Sequence, residues 1–392
     1  MSLWNRIEQL FKRRALALLE KWMERGIVRP QLMNYGSLRR ILVIRQHDYL
    51  GDFLLATPVL RALRESFPQA HVGVLVRGYT AELARHNRYI NELLVFEEHG
   101  WNWTPGKIWR LTAGLLRGWD LAIVLSTVSH SLTSDLLVCC ARPRYILGSQ
   151  DRVFPGCKRN FLYNLEAPCR DGVRHQTERN LDIVRYLGVD TADRGEVITL
   201  QPQDNLFARG FLRRHQLEED ERMIALHIGA GKISNRWPVD HFAELANRLH
   251  HEYEVRVLVA WGAREKDLGK MLLERLSFQP IILQDISLRQ LASIVSLVDV
   301  FVGNDTGVMH MAAAVGVPVV AIFGPTDPRE WKPLGEKIVA LRSSTDCADV
   351  SVEQVQQALL SLISPPLSAR KEPPEEASSV SLVQDWREDL RE

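Results

Sequence analysis

Short apolar runs alternate with longer amphipathic segments along the first half of the chain. The run RILVIR at Arg40–Arg45 is typical of a compact buried strand. Gly188 is expected to end the last helix of this half. Further strands are predicted at residues 72–76, 93–96 and 121–125, and helices at residues 53–66, 79–86, 107–117, 131–141 and 180–187. This alternation predicts a parallel sheet with helices on both faces.

The same alternation restarts in the second half. Strands are predicted at residues 223–227, 255–260, 281–283, 299–302 and 317–323, and helices at residues 241–250, 263–276, 288–296 and 351–363. Ser351 is a candidate N-cap of the closing helix. Two doubly wound α/β domains follow, and their ligands are expected beyond the carboxyl ends of the strands, in the cleft between the domains.

Composition shifts divide the chain further. We assign residues 37–188 to an N-terminal domain and residues 205–363 to a C-terminal domain. Residues 189–204 are polar and irregular, which is typical of an interdomain linker. Residues 364–392 are rich in Pro, Ser and Glu, which predicts a disordered tail.

The first 36 residues carry a basic amphipathic segment. Residues 3–25 have a helical pattern in which the apolar side chains form one stripe and the remaining positions include many Lys and Arg. Such a helix lies on an anionic membrane surface, or it docks on the body of the protein. Its apolar stretch is too short for a secretory signal peptide.

Length and charge narrow the class of protein. A chain of 392 residues is too long for one ordinary hydrophobic core, so two domains are expected. A net charge of +1 gives no global signature of nucleic-acid binding. The five cysteines include no C-x-x-C pair, which indicates reduced thiols in a cytoplasmic protein. No apolar run approaches the length of a membrane span.

The turn Asn304-Asp305-Thr306-Gly307 is the strongest chemical signal. It joins a predicted strand to a predicted helix, so backbone N–H groups at the helix start are available to an anion. Asp305 or Thr306 is expected to cap that helix, and Gly307 permits close approach of a ligand. His310 follows by one helical turn and can face the same ligand. A phosphate-bearing ligand is therefore predicted.

Three other loops follow predicted strands. In the first, at residues 46–52, Asp48 and Gly51 precede Asp52, which either caps its own helix or acts as a general base. The second, at residues 227–238, is glycine-rich and carries two cations, which indicates phosphate binding without the spacing of a Walker or dinucleotide motif. The third, at residues 323–328, is expected to frame one pocket with the Asp305 turn. No histidine pair has metal-ligand spacing, so no metal is expected.

Together these loops resemble glycosyltransferase family 9, the bacterial heptosyltransferases. The resemblance spans residues 40–363 and rests on the order and spacing of several motifs. They are Leu50-Gly51-Asp52, Thr57-Pro58 with the following five residues, Arg236-Trp237-Pro238, Asn304-Asp305-Thr306-Gly307 with His310, and Phe323-Gly324-Pro325-Thr326.

The resemblance implies a GT-B fold and an inverting, metal-independent sugar transfer from a nucleotide-sugar, expected to be ADP-heptose, to a lipopolysaccharide core or lipid-linked acceptor. It implies that Asp52 is the base. Asp48 and Gly51 then belong to the acceptor-side loop. The implied donor site comprises Lys232, Arg236, Asp305, Thr306, Gly307, His310 and Thr326. No cofactor is implied, because the nucleotide-sugar is a substrate.

One position departs from the family pattern. The family often has a lysine two residues before the Trp-Pro pair, where this chain has Asn235. Lys232 or Arg236 is the candidate replacement, and the choice between them stays open. Two alternatives therefore stay open. The protein is a family 9 transferase with a different nucleotide-sugar donor in surface-polysaccharide assembly, or it is a non-catalytic nucleotide-sugar binding protein. The expected location is the cytoplasm, with peripheral contact at the inner membrane as an option.

Overall fold

The computed structural model describes residue 14 and residues 16–46, 49–128, 130–151, 153–218 and 221–363. Asp48, the tail at residues 364–392 and the start of the predicted N-terminal helix lie outside this part of the chain. Residues 16–23 are helical, as predicted. None of the helices within the described ranges is long and apolar enough to cross a bilayer.

The first half forms a six-stranded parallel sheet in the order β3-β2-β1-β4-β5-β6. Its strands are β1 Arg40–Arg45, β2 His71–Arg77, β3 Glu92–Phe96, β4 Leu121–Val124, β5 Tyr145–Ser149 and β6 Leu165–Ala167. The helices are Leu50–Leu54, Thr57–Ser66, Gly78–Ala84, Pro105–Leu115, Leu132–Ala141 and Gln176–Arg185. This strand order is that of a Rossmann fold.

The second half repeats the topology. Its sheet has the order β12-β11-β10-β7-β8-β9, which is the same arrangement written from the other edge. The strands are β7 Met223–His227, β8 Arg256–Ala260, β9 Ile281–Leu283, β10 Val300–Asn304, β11 Val319–Ile322 and β12 Ile338–Leu341. The helices are Pro202–Arg214, Val239–Tyr253, Lys266–Leu273, Leu288–Val295, Gly307–Ala314, Pro328–Trp331 and Val352–Ile363. The predicted pair of doubly wound domains is confirmed.

The helix predicted at residues 53–66 is wrong in its bounds. The structure has two helices there, Leu50–Leu54 and Thr57–Ser66. Pro58 lies in the first turn of the second helix, where its missing N–H and fixed φ suit a helix start. The hydroxyl of Thr57 donates to the carbonyl of Leu54 at 2.7 Å and fixes the break.

Several elements were missing from the sequence prediction. Strands β5, β6 and β12 are short and lie towards or at the edges of their sheets, so they carry a weak apolar pattern. The helix Pro202–Arg214 begins inside the segment expected to be irregular. It starts with Pro202 at N1, and the Asp204 carboxylate accepts from the backbone N–H of Gln201 at 2.6 Å. Ser351 caps the closing helix as predicted, accepting from the N–H of Gln354 at 3.2 Å.

Each sheet has a point at which the strand order reverses. In the first sheet it lies between β1 and β4, and in the second between β7 and β10. The loops that leave the carboxyl ends of these strands open a crevice, which is where doubly wound folds bind ligands. The loop at residues 46–52 follows β1, the loop at residues 227–238 follows β7, and the Asp305 turn follows β10. The candidate loops therefore lie at the two crevices in which doubly wound folds bind ligands.

Candidate active site between the two domains

A fully buried amide organises the second-domain loops. The Oδ1 atom of Asn304 accepts from the backbone N–H of Trp237 at 2.9 Å, and its Nδ2 donates to the carbonyls of Ile228 and Gly229 at 3.0 and 3.1 Å. The indole of Trp237 is also buried and donates to the carbonyl of Val350 at 2.7 Å. Asn304 thus anchors both ends of the glycine-rich loop to β10, a role that the sequence did not reveal.

Asp305 is the polar centre of the second-domain loops. The Nδ2 atom of Asn235 donates to Asp305 at 3.2 Å and to the hydroxyl of Thr326 at 3.3 Å. Burial raises the pKa of Asp305, while Thr326, His310 and Lys232 lower it and Asp52 raises it further. The Asp305 turn and the loop at residues 323–328 therefore lie side by side, as predicted, because they follow the neighbouring strands β10 and β11.

No described side chain caps the helix Gly307–Ala314, so the expected cap by Asp305 or Thr306 is wrong. Thr306 occupies the N-cap position, yet its buried hydroxyl has no hydrogen-bond partner among the described residues. The carboxylate of Asp305 faces Asn235 and Thr326 instead. The N–H of Met309 donates to the carbonyl of Thr306 at 3.1 Å, which leaves the N–H groups of Gly307 and Val308, together with the positive end of the helix dipole, for an anionic ligand.

The two candidate cations differ in what they contact. Arg236 donates through Nε to the carbonyl of Ala230 at 2.9 Å and through Nη2 to the carboxylate of Glu265 at 3.0 Å. Glu265 also accepts from the N–H of Ala230 at 2.8 Å, so this ion pair braces the glycine-rich loop. Lys232 is exposed and close enough to Asp305 to lower its pKa. Of the two cations, Lys232 is the one whose charge acts on Asp305.

Asp52 lies half-buried in the first turn of the helix Leu50–Leu54. Its Oδ2 atom accepts from the backbone N–H of Tyr49 at 3.3 Å, so the capping contact foreseen for it exists. Arg45 donates to the backbone carbonyl of Asp52 at 2.6 Å and holds the start of this helix. Since Asp52 acts electrostatically on both Asp305 and His310, the carboxylate lies close to the second-domain site.

Two glycines allow the domains to meet at this point. A Cβ atom on Gly51 would lie 2.9 Å from Cδ2 of His310, and one on Gly307 would lie 2.8 Å from Cβ of Leu50. The helices Leu50–Leu54 and Gly307–Ala314 therefore pack against each other, and Leu50 and Gly51, which precede Asp52, contact the uncapped helix start. Only glycine permits so close an approach without a shift of the neighbours.

His310 is buried and held by a residue that the sequence did not reveal. Its Nδ1 atom donates to Oε1 of Glu196 at 2.8 Å, and Glu196 is itself buried. Burial lowers the pKa of His310, but the charges of Glu196, Asp305 and Asp52 outweigh it and raise the pKa above its usual value. The imidazolium form of His310 is therefore more stable here than that of a free histidine.

Burial lowers the pKa of two other histidines near the site. Burial lowers the pKa of His227 to about 4, so it is a core histidine rather than a ligand-facing cation. Burial also lowers the pKa of His175, whose Nε2 donates to the carbonyl of Lys332 at 2.7 Å across the domain boundary. Among the described residues no group of three or more His, Cys, Asp or Glu side chains is placed to hold a metal ion.

Two Rossmann-like domains that face each other, with an uncapped helix start in one and the helix that carries Asp52 in the other, have the architecture of the GT-B class of sugar-transferring enzymes. The sequence profile described as glycosyltransferase family 9 (heptosyltransferase) matches residues 108–359. This match covers well over half of the chain, and the protein belongs to that family and is a glycosyltransferase.

Relatives extend the match beyond the profile. Lipopolysaccharide heptosyltransferase 2 of Escherichia coli strain K12 is 26% identical over 324 residues, which are 78% of this chain and 88% of that protein. Lipopolysaccharide heptosyltransferase 3 of the same strain is 25% identical over 298 residues, covering 74% and 84%. The crystal structure of a family 9 glycosyltransferase from Veillonella parvula superimposes with a TM-score of 0.73 at 22% identity, over 83% of this chain and 97% of that one. The structure of E. coli ADP-heptose lps heptosyltransferase II gives a TM-score of 0.67 at 22% identity, covering 83% and 98%.

Proposed function

We propose that this protein transfers heptose from ADP-heptose to a lipopolysaccharide core or lipid-linked acceptor, with inversion at the sugar carbon. The observation that carries the proposal is the contact of Leu50 and Gly51, which directly precede Asp52 in the first domain, with the uncapped helix start at Gly307 of the second. The relatives support the substrates, since two of them are named lipopolysaccharide heptosyltransferases and one solved structure is titled an ADP-heptose lps heptosyltransferase.

The proposed reaction is a single displacement. The acceptor hydroxyl attacks the anomeric carbon while Asp52 removes its proton, and the bond between that carbon and the diphosphate oxygen breaks. The electron pair leaves with the nucleoside diphosphate. The N–H groups at the start of the helix Gly307–Ala314, Lys232 and the His310 imidazolium would stabilise the charge that develops there. This assignment uses protein groups alone for charge stabilisation.

Asn235 supports a second candidate, a family 9 transferase with another nucleotide-sugar donor. Its amide is already committed to Asp305 and Thr326, so it supplies no cation to a diphosphate. Lys232 would have to supply that charge from a different position in the loop. A change in the geometry of the diphosphate contact changes which donor fits best.

A thermal-shift panel distinguishes these donors. ADP, UDP, GDP, CDP and their sugar conjugates would be added without metal to the full chain. A ligand that binds only the native state at 100 times its Kd stabilises it by about 2.7 kcal/mol. Selective stabilisation by ADP and ADP-heptose is expected. Selective stabilisation by another nucleotide-sugar would identify a different donor. If no ligand shifted the melting temperature, that result would contradict the proposed donor site.

The same panel tests the two cations. Lys232→Ala is expected to weaken ADP binding by roughly 10–100-fold, the range for a lost charged hydrogen bond, and to leave the melting temperature of the free protein unchanged. Arg236→Ala is the matched variant, and it should lower the melting temperature of the free protein because Glu265 loses its partner. The reverse pattern would assign the diphosphate contact to Arg236.

A further inference from the structure

Three tryptophans of the first half are exposed to a degree that is unusual for this residue. Trp22 is 85% exposed, Trp101 81% and Trp109 70%. By contrast, Trp119 and Trp237 are buried. Tryptophan contributes a large apolar area, so several exposed indoles on one domain point to a surface that meets another apolar phase.

These indoles lie on one side of the first sheet. The helix Pro105–Leu115 buries Leu111 and Leu115 in an apolar cluster that also contains Phe161. The segment after residues 16–23 joins the same layer, because the N–H of Arg25 donates to the carbonyl of Phe161 at 2.9 Å. We name the exposed residues on this side the tryptophan face. It comprises Trp22, Trp101, Ile108, Trp109 and Leu116.

The tryptophan face has helical order in its central part. Ile108, Thr112 and Leu116 are spaced by four residues, and Trp109 stands beside them, so these side chains share the outward stripe of one helix. The opposite stripe, which includes Leu111 and Leu115, is buried. The helix thus exposes apolar side chains on its outer face, beside the exposed Arg110 and Thr112.

The helix carries a cation on its exposed side. Lys107 pairs with Glu97 at 2.8 Å and Arg117 pairs with Glu92 at 2.9 Å, whereas no described carboxylate pairs with Arg110. Arg110 is exposed beside Trp109. Exposed indoles beside an exposed guanidinium match the interface of an anionic lipid bilayer, where the rings reach headgroup depth and the cation meets a lipid phosphate.

The position of the face relative to the cleft fits a lipid-borne acceptor. Trp101 and the start of the helix Pro105–Leu115 follow β3, and the helix that carries Asp52 follows β1 of the same parallel sheet. The carboxyl ends of parallel strands lie at one edge of a sheet. The tryptophan face therefore begins at the edge that bears the proposed base.

We propose that the tryptophan face docks the enzyme on an anionic phospholipid surface and presents the cleft to an acceptor anchored there. The proposal rests on the lipid-linked acceptor of the proposed function. It adds the helix Pro105–Leu115 and the Trp101 turn to the N-terminal segment that the sequence had suggested for membrane contact.

Vesicle co-sedimentation of the full chain tests this docking. The wild type is expected to bind vesicles that contain phosphatidylglycerol and to bind pure phosphatidylcholine vesicles weakly. A Trp101→Ser/Trp109→Ser double variant should lose at least roughly tenfold in partitioning, because two interfacial anchors are removed. Arg110→Glu should weaken binding to the anionic vesicles alone. Leu206→Ser, an exposed apolar residue on the helix Pro202–Arg214, is the matched control and should bind like wild type.

Kinetics separate docking from catalysis. With an acceptor embedded in vesicles, the double variant should show a raised KM for the acceptor, whereas with a lipid-free core oligosaccharide it should match wild type. Wild-type partitioning of the double variant would overturn the proposal. So would a wild-type dimer in analytical ultracentrifugation that the double variant converts to monomer, since the face would then cover a second copy. Loss of activity on both acceptors would instead count against the proposed function.

Discussion

Asp52→Asn is expected to lower kcat by about 10²–10⁴-fold, the usual contribution of a positioned general base. The asparagine cannot take up the acceptor proton, but its side-chain carbonyl can still accept from the N–H of Tyr49. The helix start and the donor site on the other domain should therefore persist. ADP release with saturating donor and acceptor measures the loss, and the thermal shift with ADP should equal that of wild type.

Asp120→Asn is the matched control for this variant. Asp120 also accepts backbone N–H bonds, from Arg39 at 2.7 Å and Arg40 at 2.9 Å, but it lies where β1 begins, at the opposite edge of the sheet from Asp52. Its asparagine variant should turn over like wild type. Equal turnover of the Asp52 variant and wild type would remove Asp52 from the base role and leave it as a helix cap.

Glu196→Gln is expected to remove a pH-dependent part of the stability and activity. The pKa of His310 is raised above 6.5 because Glu196, Asp305 and Asp52 outweigh the lowering by burial. A raised folded-state pKa stabilises the protein fully below about pH 6.5, and this stabilisation is lost as the pH rises through the folded pKa. A hydrogen bond to a charged partner contributes about 1.5–3 kcal/mol. His175, whose pKa is lowered in part by His310, faces the same cluster.

The readout is the difference between wild type and variant as the pH changes. The melting temperature of Glu196→Gln should fall furthest below that of wild type under acidic conditions, and the two should converge in alkaline buffer. The basic limb of the kcat profile should move to lower pH, because a less basic His310 loses its proton earlier. Glu274→Gln, the same charge change at an exposed site, should show neither effect. A stability difference that does not vary with pH would mean that Glu196 only fills space.

The alternation of strands and helices could be predicted from the sequence, because buried parallel strands form short apolar runs that are easy to recognise. It was insufficient for β6, which has only three residues, and for the break before Thr57, where the apolar pattern continues across two helices. Edge strands bury less, so their composition is less constrained. Loops near the crevices could be located because each follows a strong strand.

The hydrogen-bond and ion-pair partners of the site residues could not be predicted from the sequence pattern. Glu196 and His310 are 114 positions apart, and Glu196 lies in a segment that looked like a linker. Arg236 stands next to a recognised motif, yet it is committed to Glu265, 29 positions further on. Such contacts depend on how segments far apart in the sequence pack together, and no local spacing encodes that packing. The same limit explains why the sequence assigned a cap to the helix that begins at Gly307.

The most direct test of the proposed function is a transfer assay with ADP-heptose and a heptose-deficient lipopolysaccharide acceptor. ADP and a monoheptosylated acceptor should appear in equal amounts, and the new glycosidic bond should have the anomeric configuration opposite to that of the donor. Mass spectrometry and NMR of the product report both. Retained configuration, or no sugar transfer from ADP-heptose to this acceptor under conditions in which the protein is folded, would contradict it.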